Sequence, residues 1–196
     1  MRSLPKAILE CSQTLAEGGV LAPKEFLHLG SRAAVDQAFC RLVKSGQLLR
    51  VARGTYCVPV REQENLRAPS TESVVKAMAE QGKQIVVLSG AHAARSLGLT
   101  RATHGPEEYL TTGRGKQLDI GGQNVVLKHA PYWMLSLGST PAGNALRAIA
   151  WLGEAQADRA SRALRKTLAK DQWGSLAAVR ASLPSWMATA IGKASV

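Results

Sequence analysis

The stretch GSRAAVDQAFCRLVKSGQLLRVARGTYCVP, Gly30 to Pro59, decides the fold of the first third of the chain. Ser31 is a residue type that accepts a hydrogen bond from a free backbone N–H at a helix start, and Gly46 ends the helix that follows. Between them, apolar residues recur every three or four positions and fall on one helical face: Val35, Ala38, Phe39, Leu42 and Val43. The pattern predicts a helix with a buried inner face and a polar outer face.

The residues on either side of this helix predict further elements. After Gly46 the run QLLRVARGTYCVP alternates well enough for two strands joined at Arg53 and Gly54. Before the helix, Pro23 stands where a short helix would begin. A first helix ends before Gly18 and has its apolar residues on one face: Leu4, Ile8, Leu9 and Leu15. Three helices followed by a hairpin are the order of elements in a winged helix-turn-helix.

The charge of the chain favours a nucleic acid as partner. Lys and Arg total 25 against 14 Asp and Glu, which gives a net charge of +11 and attraction to polyanions. From Gln37 to Arg61 there are basic residues and no acid. In a winged helix the third helix enters the major groove and the hairpin reaches flanking phosphates or the minor groove. The placement of the charge therefore predicts binding to double-stranded DNA.

The outer face of the third helix and the hairpin supply the candidate DNA-binding residues. Gln37 and Arg41 are side chains that read base edges, Gln toward adenine and Arg toward guanine. Contacts that position the protein on phosphates are expected from Ser31, Arg32, Lys44 and Arg53. The complete predicted set is Ser31, Arg32, Ala33, Gln37, Arg41, Lys44, Arg50, Arg53 and Thr55. The alternative is a solvated face on a protein-interaction module.

The sequence predicts two domains and an α+β class. The polar run VREQENLRAPS lacks periodicity and predicts a linker over residues 60–69. We therefore expect a winged helix-turn-helix over residues 1–65 and a mixed α+β domain with terminal helices over residues 66–196. A hairpin is expected to turn at Gly121 and Gly122, and a helix to begin at Pro141 behind a Thr140 cap. Further helices are expected around residues 157–170 and 175–182.

One predicted helix of the second domain has a basic face. In DRASRALRKTLAK the side chains of Arg159, Arg162 and Lys166 share one side, while Leu164 and Leu168 lie on the other. A solvated face is one interpretation. The other is a secondary contact, either to DNA that flanks the site or to an acidic partner.

Catalytic and metal-binding patterns are missing from the sequence. In GSTPAGNA, which follows the strand-like YWMLSL, Asn144 and Ala145 stand where a phosphate loop needs Lys and Ser or Thr. Ser89 is expected to cap a helix, since no nucleophile elbow surrounds it. The four histidines lack ligand spacing: His28, His92, His104 and His129. We therefore expect no enzyme activity, metal or cofactor.

The cysteines and the hydropathy pattern bear on localisation. The three cysteines are far apart and lack CxxC spacing, which predicts neither a disulfide framework nor a zinc site and favours a reducing cytoplasm. No apolar run is long enough to span a membrane, and the first residues do not predict a signal peptide. A cytoplasmic protein is expected.

The segment SRAAVDQAFCRLVKSGQLLRVARGTYCVP, together with VLSGAHAARSLGLT and a basic helical tail, resembles the AbiEi-type antitoxins of type IV toxin–antitoxin systems and their relatives. The resemblance implies an N-terminal winged helix that represses its own promoter at inverted repeats. It also implies a C-terminal domain that opposes a nucleotidyltransferase toxin. By position, the DNA-reading helix is Ser31 to Ser45 and the wing is Arg50 to Tyr56. No motif after about residue 105 contributes to the resemblance.

Three functions follow from these patterns. The first is a sequence-specific repressor that also acts as an antitoxin. The second is a winged-helix adaptor for protein interaction, or a plain transcriptional regulator without an antitoxin role. The third, an enzyme that acts on nucleotides, needs convergent acids or a metal site, and the sequence contains neither.

Overall fold

The computed structural model describes residues 3–62, 65–101 and 106–196. The chain forms two compact units, each assembled from two segments. The first unit takes in the chain up to Gln84 together with Lys116–Val126, and the second consists of Ile85–Gly115 and Leu127–Val196. Helices and strands occur in both units, which confirms the predicted α+β class.

The first unit begins with helices that pack on a small sheet. The elements are α1 (Leu4–Gln13), β1 (Val20–Leu21), a 3-10 turn (Pro23–Phe26), α2 (Arg32–Lys44), β2 (Leu49–Ala52) and β3 (Thr55–Cys57). The strands of this sheet run antiparallel in the order β1, β3, β2. The turn between β2 and β3 falls at Arg53 and Gly54, as predicted, and Gly54 has a φ of 69°.

The core of these elements centres on Phe39 of α2. Its ring centroid lies 5.6 Å from that of Phe26 and 4.6 Å from that of Tyr56, so it joins the 3-10 turn to the sheet. Fully burying a side chain of this size contributes about 2 to 3 kcal/mol. The buried residues of this cluster are Ile8, Leu21, Phe26, Val35, Ala38, Phe39, Leu42 and Leu48. The predicted inner face of α2 is therefore confirmed, with Val43 at its half-buried edge.

The predicted second helix is only the 3-10 turn Pro23–Phe26. The Glu25 carboxylate accepts a hydrogen bond from the backbone N–H of Ala22 (3.1 Å), which closes the turn on itself. Leu27 and Leu29 beyond it are 42% and 48% exposed. Since these leucines are not buried, no apolar face extends the turn into a helix. The winged-helix interpretation of this unit stays a prediction.

The predicted linker over residues 60–69 contains ordered strands. β4 (Val60–Glu62) and β5 (Asn65–Arg67) pair antiparallel, with Arg61 opposite Leu66. Arg67 fixes the pair through Glu17 (3.2 Å) and Glu62 (3.1 Å). The linker prediction was wrong because these strands are held by ion pairs and cross-strand hydrogen bonds, which leave no apolar periodicity in the sequence.

The first unit extends beyond the predicted boundary at residue 65. Helix α3 (Thr71–Gly82) begins behind a Ser70 cap, and the Thr71 hydroxyl donates to the Gln123 side-chain oxygen (3.0 Å). Strands β8 (Lys116–Ile120) and β9 (Gln123–His129) form the predicted hairpin. Its turn residues Gly121 and Gly122 have φ values of 61° and 88°, which glycine adopts without strain. β8 lies against β2 within this unit.

The second unit combines strands with a helical bundle. β6 (Val86–Leu88) and β7 (Glu107–Thr111) pair antiparallel, and β9 enters this unit at Leu127. The helices are α4 (Gly90–Ser96), α5 (Tyr132–Leu135), α6 (Pro141–Leu152), α7 (Glu154–Thr167), α8 (Lys170–Ala178) and α9 (Ser185–Ser195), with a 3-10 turn at Arg180–Ser182.

Two elements of this unit differ from the sequence prediction. YWMLSL, taken as strand-like, forms the short helix α5, and α9 follows the last predicted helix. The bundle core accounts for α9, which contributes buried residues to it, and two residues of α5, Trp133 and Met134, pack against the same core. The buried residues of this core include Leu146, Ile149, Leu164, Trp173, Leu176, Met187 and Ile191.

Candidate nucleic-acid interface

Helix α2 separates its apolar and polar side chains cleanly. The Ser31 hydroxyl accepts a hydrogen bond from the backbone N–H of Ala34 (3.3 Å), so the predicted cap is present. The predicted outer residues are all exposed: Arg32, Ala33, Gln37, Cys40, Arg41 and Lys44. The helix thus presents one continuous polar face whose cations lie at both of its ends.

The charged side chains on this face differ in whether they form an ion pair. Arg32 forms an ion pair with Asp36, one turn later, at 2.9 Å. Within the described ranges, Gln37, Arg41 and Lys44 make no side-chain hydrogen bond or ion pair. Arg41 and Lys44 stand in the last turn, where positive charge interacts favourably with the helix dipole. The uncompensated positive charge of α2 therefore lies at its C-terminal end.

The hairpin of β2 and β3 adds two exposed arginines, Arg50 and Arg53. Arg50 lies opposite Tyr56 in the pairing, and Arg53 occupies the turn. Thr55 differs from the other predicted residues because it is only 8% exposed. Thr55 therefore contributes little exposed surface, and it is a weaker candidate for a DNA contact than the other predicted residues.

One face of this hairpin is covered within the first unit. β8 lies against β2, and Val51 and Cys57 are buried. Burial raises the pKa of the Cys57 thiol to about 12, so the group stays protonated at neutral pH. Cys11 and Cys40 are exposed thiols. The exposed arginines thus lie on a hairpin that has one buried face.

The predicted secondary basic face is present on α7. Arg159, Arg162 and Lys166 are exposed, while Ala157, Ala160 and Leu164 are buried on the opposite side. The second unit holds 12 Lys and Arg against 5 Asp and Glu, an excess of seven, whereas the first unit holds 13 against 9, an excess of four. The larger charge excess therefore lies in the unit that does not carry α2.

Sequence reasoning missed the most unusual charged residue, Arg147 of α6. It is fully buried, and its guanidinium donates to Gly138 O (2.8 Å), Met134 O (3.4 Å) and the Asn144 side-chain oxygen (2.6 Å). Its Nε atom has no partner in the described structure. Burial lowers the pKa of Arg147 to about 10, so the group is charged at neutral pH. The only signal in the sequence is Asn144, one turn earlier.

The first turn of α6 is a capped helix start, as predicted. The Gly143 N–H donates to the Thr140 hydroxyl (3.1 Å), and the Ala142 N–H donates to the Gln172 side-chain oxygen (3.2 Å). These occupied donors leave no phosphate loop in GSTPAGNA. Ser89 likewise caps α4 by accepting from the His92 N–H (3.5 Å).

The described residues contain no group of three or more His, Cys, Asp or Glu side chains that is able to hold a metal ion. His104 lies outside the described residues. In the ranges that the structure covers, every helix is too short or too polar to cross a bilayer.

Comparison with known proteins gives one positive result. No curated protein matches the chain, and no solved structure does. A family model matches residues 7–176, which include α2, the hairpins β2–β3, β4–β5 and β8–β9, and most of the helical bundle. Since this match covers far more than half of the chain, the protein belongs to DUF6088, a family of unknown function.

Proposed function

We propose that this protein is a sequence-specific DNA-binding repressor of the cytoplasm that controls its own operon and acts as a type IV antitoxin. The observation that carries the proposal is the outer face of α2, where Gln37, Arg41 and Lys44 are exposed without partners in the described structure while the opposite face is buried. An α-helix of this kind fits the major groove of B-DNA. Arg50 and Arg53 extend the same positive charge along the adjoining hairpin.

The division of labour among these residues follows from side-chain chemistry. Arg41 is suited to a bidentate contact with guanine, and Gln37 to one with adenine. Lys44 and Arg53 are suited to phosphate oxygens, which position the protein without reading sequence. Arg32 is the weakest contributor, because its ion pair with Asp36 offsets its charge.

The antitoxin part of the proposal rests on the resemblance to AbiEi-type antitoxins. Its partner is a nucleotidyltransferase toxin, opposed through the second unit, where the excess of positive charge is larger. The proposal does not require direct contact with the toxin.

A titration of the full-length protein against the DNA upstream of its own gene tests the repressor function. Fluorescence anisotropy at about 150 mM salt is expected to give tighter binding to this duplex than to a shuffled duplex of equal length, by at least about 10³-fold. Equal affinity for the two duplexes contradicts sequence-specific repression.

Co-expression tests the antitoxin function separately. A nucleotidyltransferase encoded beside this gene is expected to stop growth when expressed alone and to be tolerated when this protein is supplied from an unrelated promoter. If growth is not restored while operator binding is intact, the protein is a transcriptional regulator without an antitoxin role.

A protein-interaction adaptor is the second candidate function. The observation that favours it is the pair of exposed leucines, Leu27 and Leu29, in the loop between the 3-10 turn and α2. An adaptor is expected to show no preferred DNA site in the titration. Leu29→Ser would then abolish capture of its partner while DNA affinity stays unchanged.

A further inference from the structure

The hairpin formed by β4 and β5 stands beside the C-terminal end of α2. A Cβ atom built on Gly46, which follows α2, would lie 3.9 Å from the Cδ1 atom of Leu66 in β5. Lys44 is the last residue of α2, two positions before Gly46. The hairpin therefore borders the end of α2 at which the unpaired positive charge lies.

Arg61 and Leu66 occupy the same face of this hairpin. They are direct partners in the antiparallel pairing, and such partners project to one side with Cβ atoms about 5 Å apart. Because Leu66 lies next to Gly46, Arg61 also stands on the side of the hairpin that borders the end of α2. The side chain of Arg61 is exposed and makes no hydrogen bond or ion pair within the described residues.

Ion pairs hold the β4–β5 hairpin in place within the first unit. Two-stranded hairpins are marginally stable alone in water. Arg67 compensates by binding Glu17, which precedes β1, and Glu62, which lies in β4. It also donates to the carbonyl oxygen of Ala68 (3.2 Å). This anchoring uses Arg67 and Glu62 and leaves Arg61 available to an external anion.

We propose that the β4–β5 hairpin is a second DNA-contacting element, in which Arg61 binds a backbone phosphate next to the base pairs that α2 reads. The inference rests on the proposed DNA-binding function. Charge complementarity identifies the partner: Arg61 continues the acid-free segment from Gln37 onward, and an unpaired guanidinium on the side of the hairpin that borders the end of α2 suits a phosphate that flanks the major groove. The contact positions the protein and reads no base.

The salt dependence of DNA binding tests this contact. Full-length wild type, Arg61→Ala and Arg61→Lys are titrated with the operator duplex and a shuffled duplex between 50 and 200 mM salt. Loss of one phosphate contact is expected to reduce the slope of log K against log salt by about 0.9, which makes the salt-induced fall in affinity about threefold smaller. Arg61→Ala should weaken binding to both duplexes equally, and Arg61→Lys should keep the wild-type slope.

The control is Arg95→Ala, which removes an exposed arginine from α4 in the second unit. It should leave the slope unchanged, and circular dichroism should show wild-type folding for each variant. A wild-type slope and affinity in Arg61→Ala, with wild type binding its operator, overturns the hairpin contact alone. Absence of operator binding by wild type overturns the proposed function and this inference together. A Leu66→Ser variant with an altered oligomeric state and normal DNA affinity would assign the hairpin to a protein interface instead.

Discussion

Arg147 donates a 2.8 Å hydrogen bond to the carbonyl oxygen of Gly138, nine residues earlier in the chain. The same guanidinium reaches Met134 O and the Asn144 side chain, so one buried cation fixes the segment between α5 and α6. No carboxylate appears among the partners that the structure describes. The positive charge is therefore balanced by carbonyl dipoles, and its removal leaves several acceptors without a donor.

Arg147→Ala is expected to lower the free energy of unfolding by about 3 to 5 kcal/mol, because it creates a cavity and leaves buried acceptors unpaired. Urea unfolding followed by circular dichroism measures the loss. Arg159→Ala, at an exposed position of α7, is the matched control and should change stability by less than about 0.5 kcal/mol. Equal stabilities of the two variants would contradict the clamping role of Arg147.

Replacement by alanine is expected to lower the stability of the protein at Gly90 and to raise it at Gly174. A Cβ on Gly90 would lie 2.5 Å from Arg147 O and 2.6 Å from the Cβ of Trp151, so Gly90→Ala forces α4 away from α6 at a cost of about 1 to 3 kcal/mol. A Cβ on Gly174 of α8 meets nothing within 4 Å. Gly174→Ala should stabilise the protein by about 0.5 to 1 kcal/mol, since alanine favours a helix interior. Thermal midpoints that move in the same direction would refute this packing argument.

Arg41 and Lys44 differ in what their loss should do to DNA binding. Arg41→Ala is expected to weaken operator binding by about 1 to 3 kcal/mol and to affect shuffled DNA much less, because a bidentate contact to guanine is lost. Lys44→Ala should weaken both duplexes to a similar extent, as the loss of a phosphate contact does. Anisotropy titrations on the two duplexes give both comparisons. Equal losses on both duplexes for Arg41→Ala would remove its base-reading role.

Two of the three cysteines should react with a thiol reagent in the native protein. Cys11 and Cys40 are exposed, whereas burial raises the pKa of Cys57 to about 12. A thiol reagent at about pH 8 is expected to modify two groups rapidly, and the third only in urea. Above the ordinary thiol pKa of 9.0 the unfolded chain loses this proton first, so native stability falls as pH rises from 9 toward 12. Rapid reaction of all three thiols in the native protein would show that Cys57 is accessible to the reagent and not buried.

A bulky adduct on Cys40 should block DNA binding. Cys40 lies on the outer face of α2 beside Arg41 and between the turns that carry Gln37 and Lys44. Maleimide treatment is expected to abolish operator binding by wild type and by Cys11→Ser, and to spare Cys40→Ser. Loss of binding in treated Cys40→Ser would place the sensitive thiol elsewhere.

Local signals in the sequence were sufficient for several elements. Apolar spacing in α2 identified its buried face, and the Ser31, Ser89 and Thr140 caps were each found where a polar side chain precedes a helix. Paired glycines identified the turn between β8 and β9, because only glycine tolerates both positive φ angles easily. Each of these signals acts within about one helical turn or one hairpin.

Contacts between residues that are far apart in the sequence were not predicted. Arg67 of β5 pairs with Glu17, 50 residues away, and an exposed hairpin of this kind has no hydrophobic periodicity. YWMLSL was assigned the wrong element, since a short apolar run fits a strand and a buried helical turn equally well. The burial of Arg147 was not predicted, because the carbonyl oxygens of Met134 and Gly138 that bind it belong to the preceding segment and reach it only in the folded chain.

The sequence by itself determined the class of the fold, the two faces of α2 and the turns and caps, because backbone preference and periodicity are local properties. The tertiary structure decided which charges are free. It paired Arg32 with Asp36, engaged Arg67, buried Arg147 and Thr55, and left Arg41, Lys44 and Arg61 exposed. The reason is physical: the availability of a cation depends on which acceptors the folded chain brings within about 3 Å, and those acceptors can come from any part of the sequence.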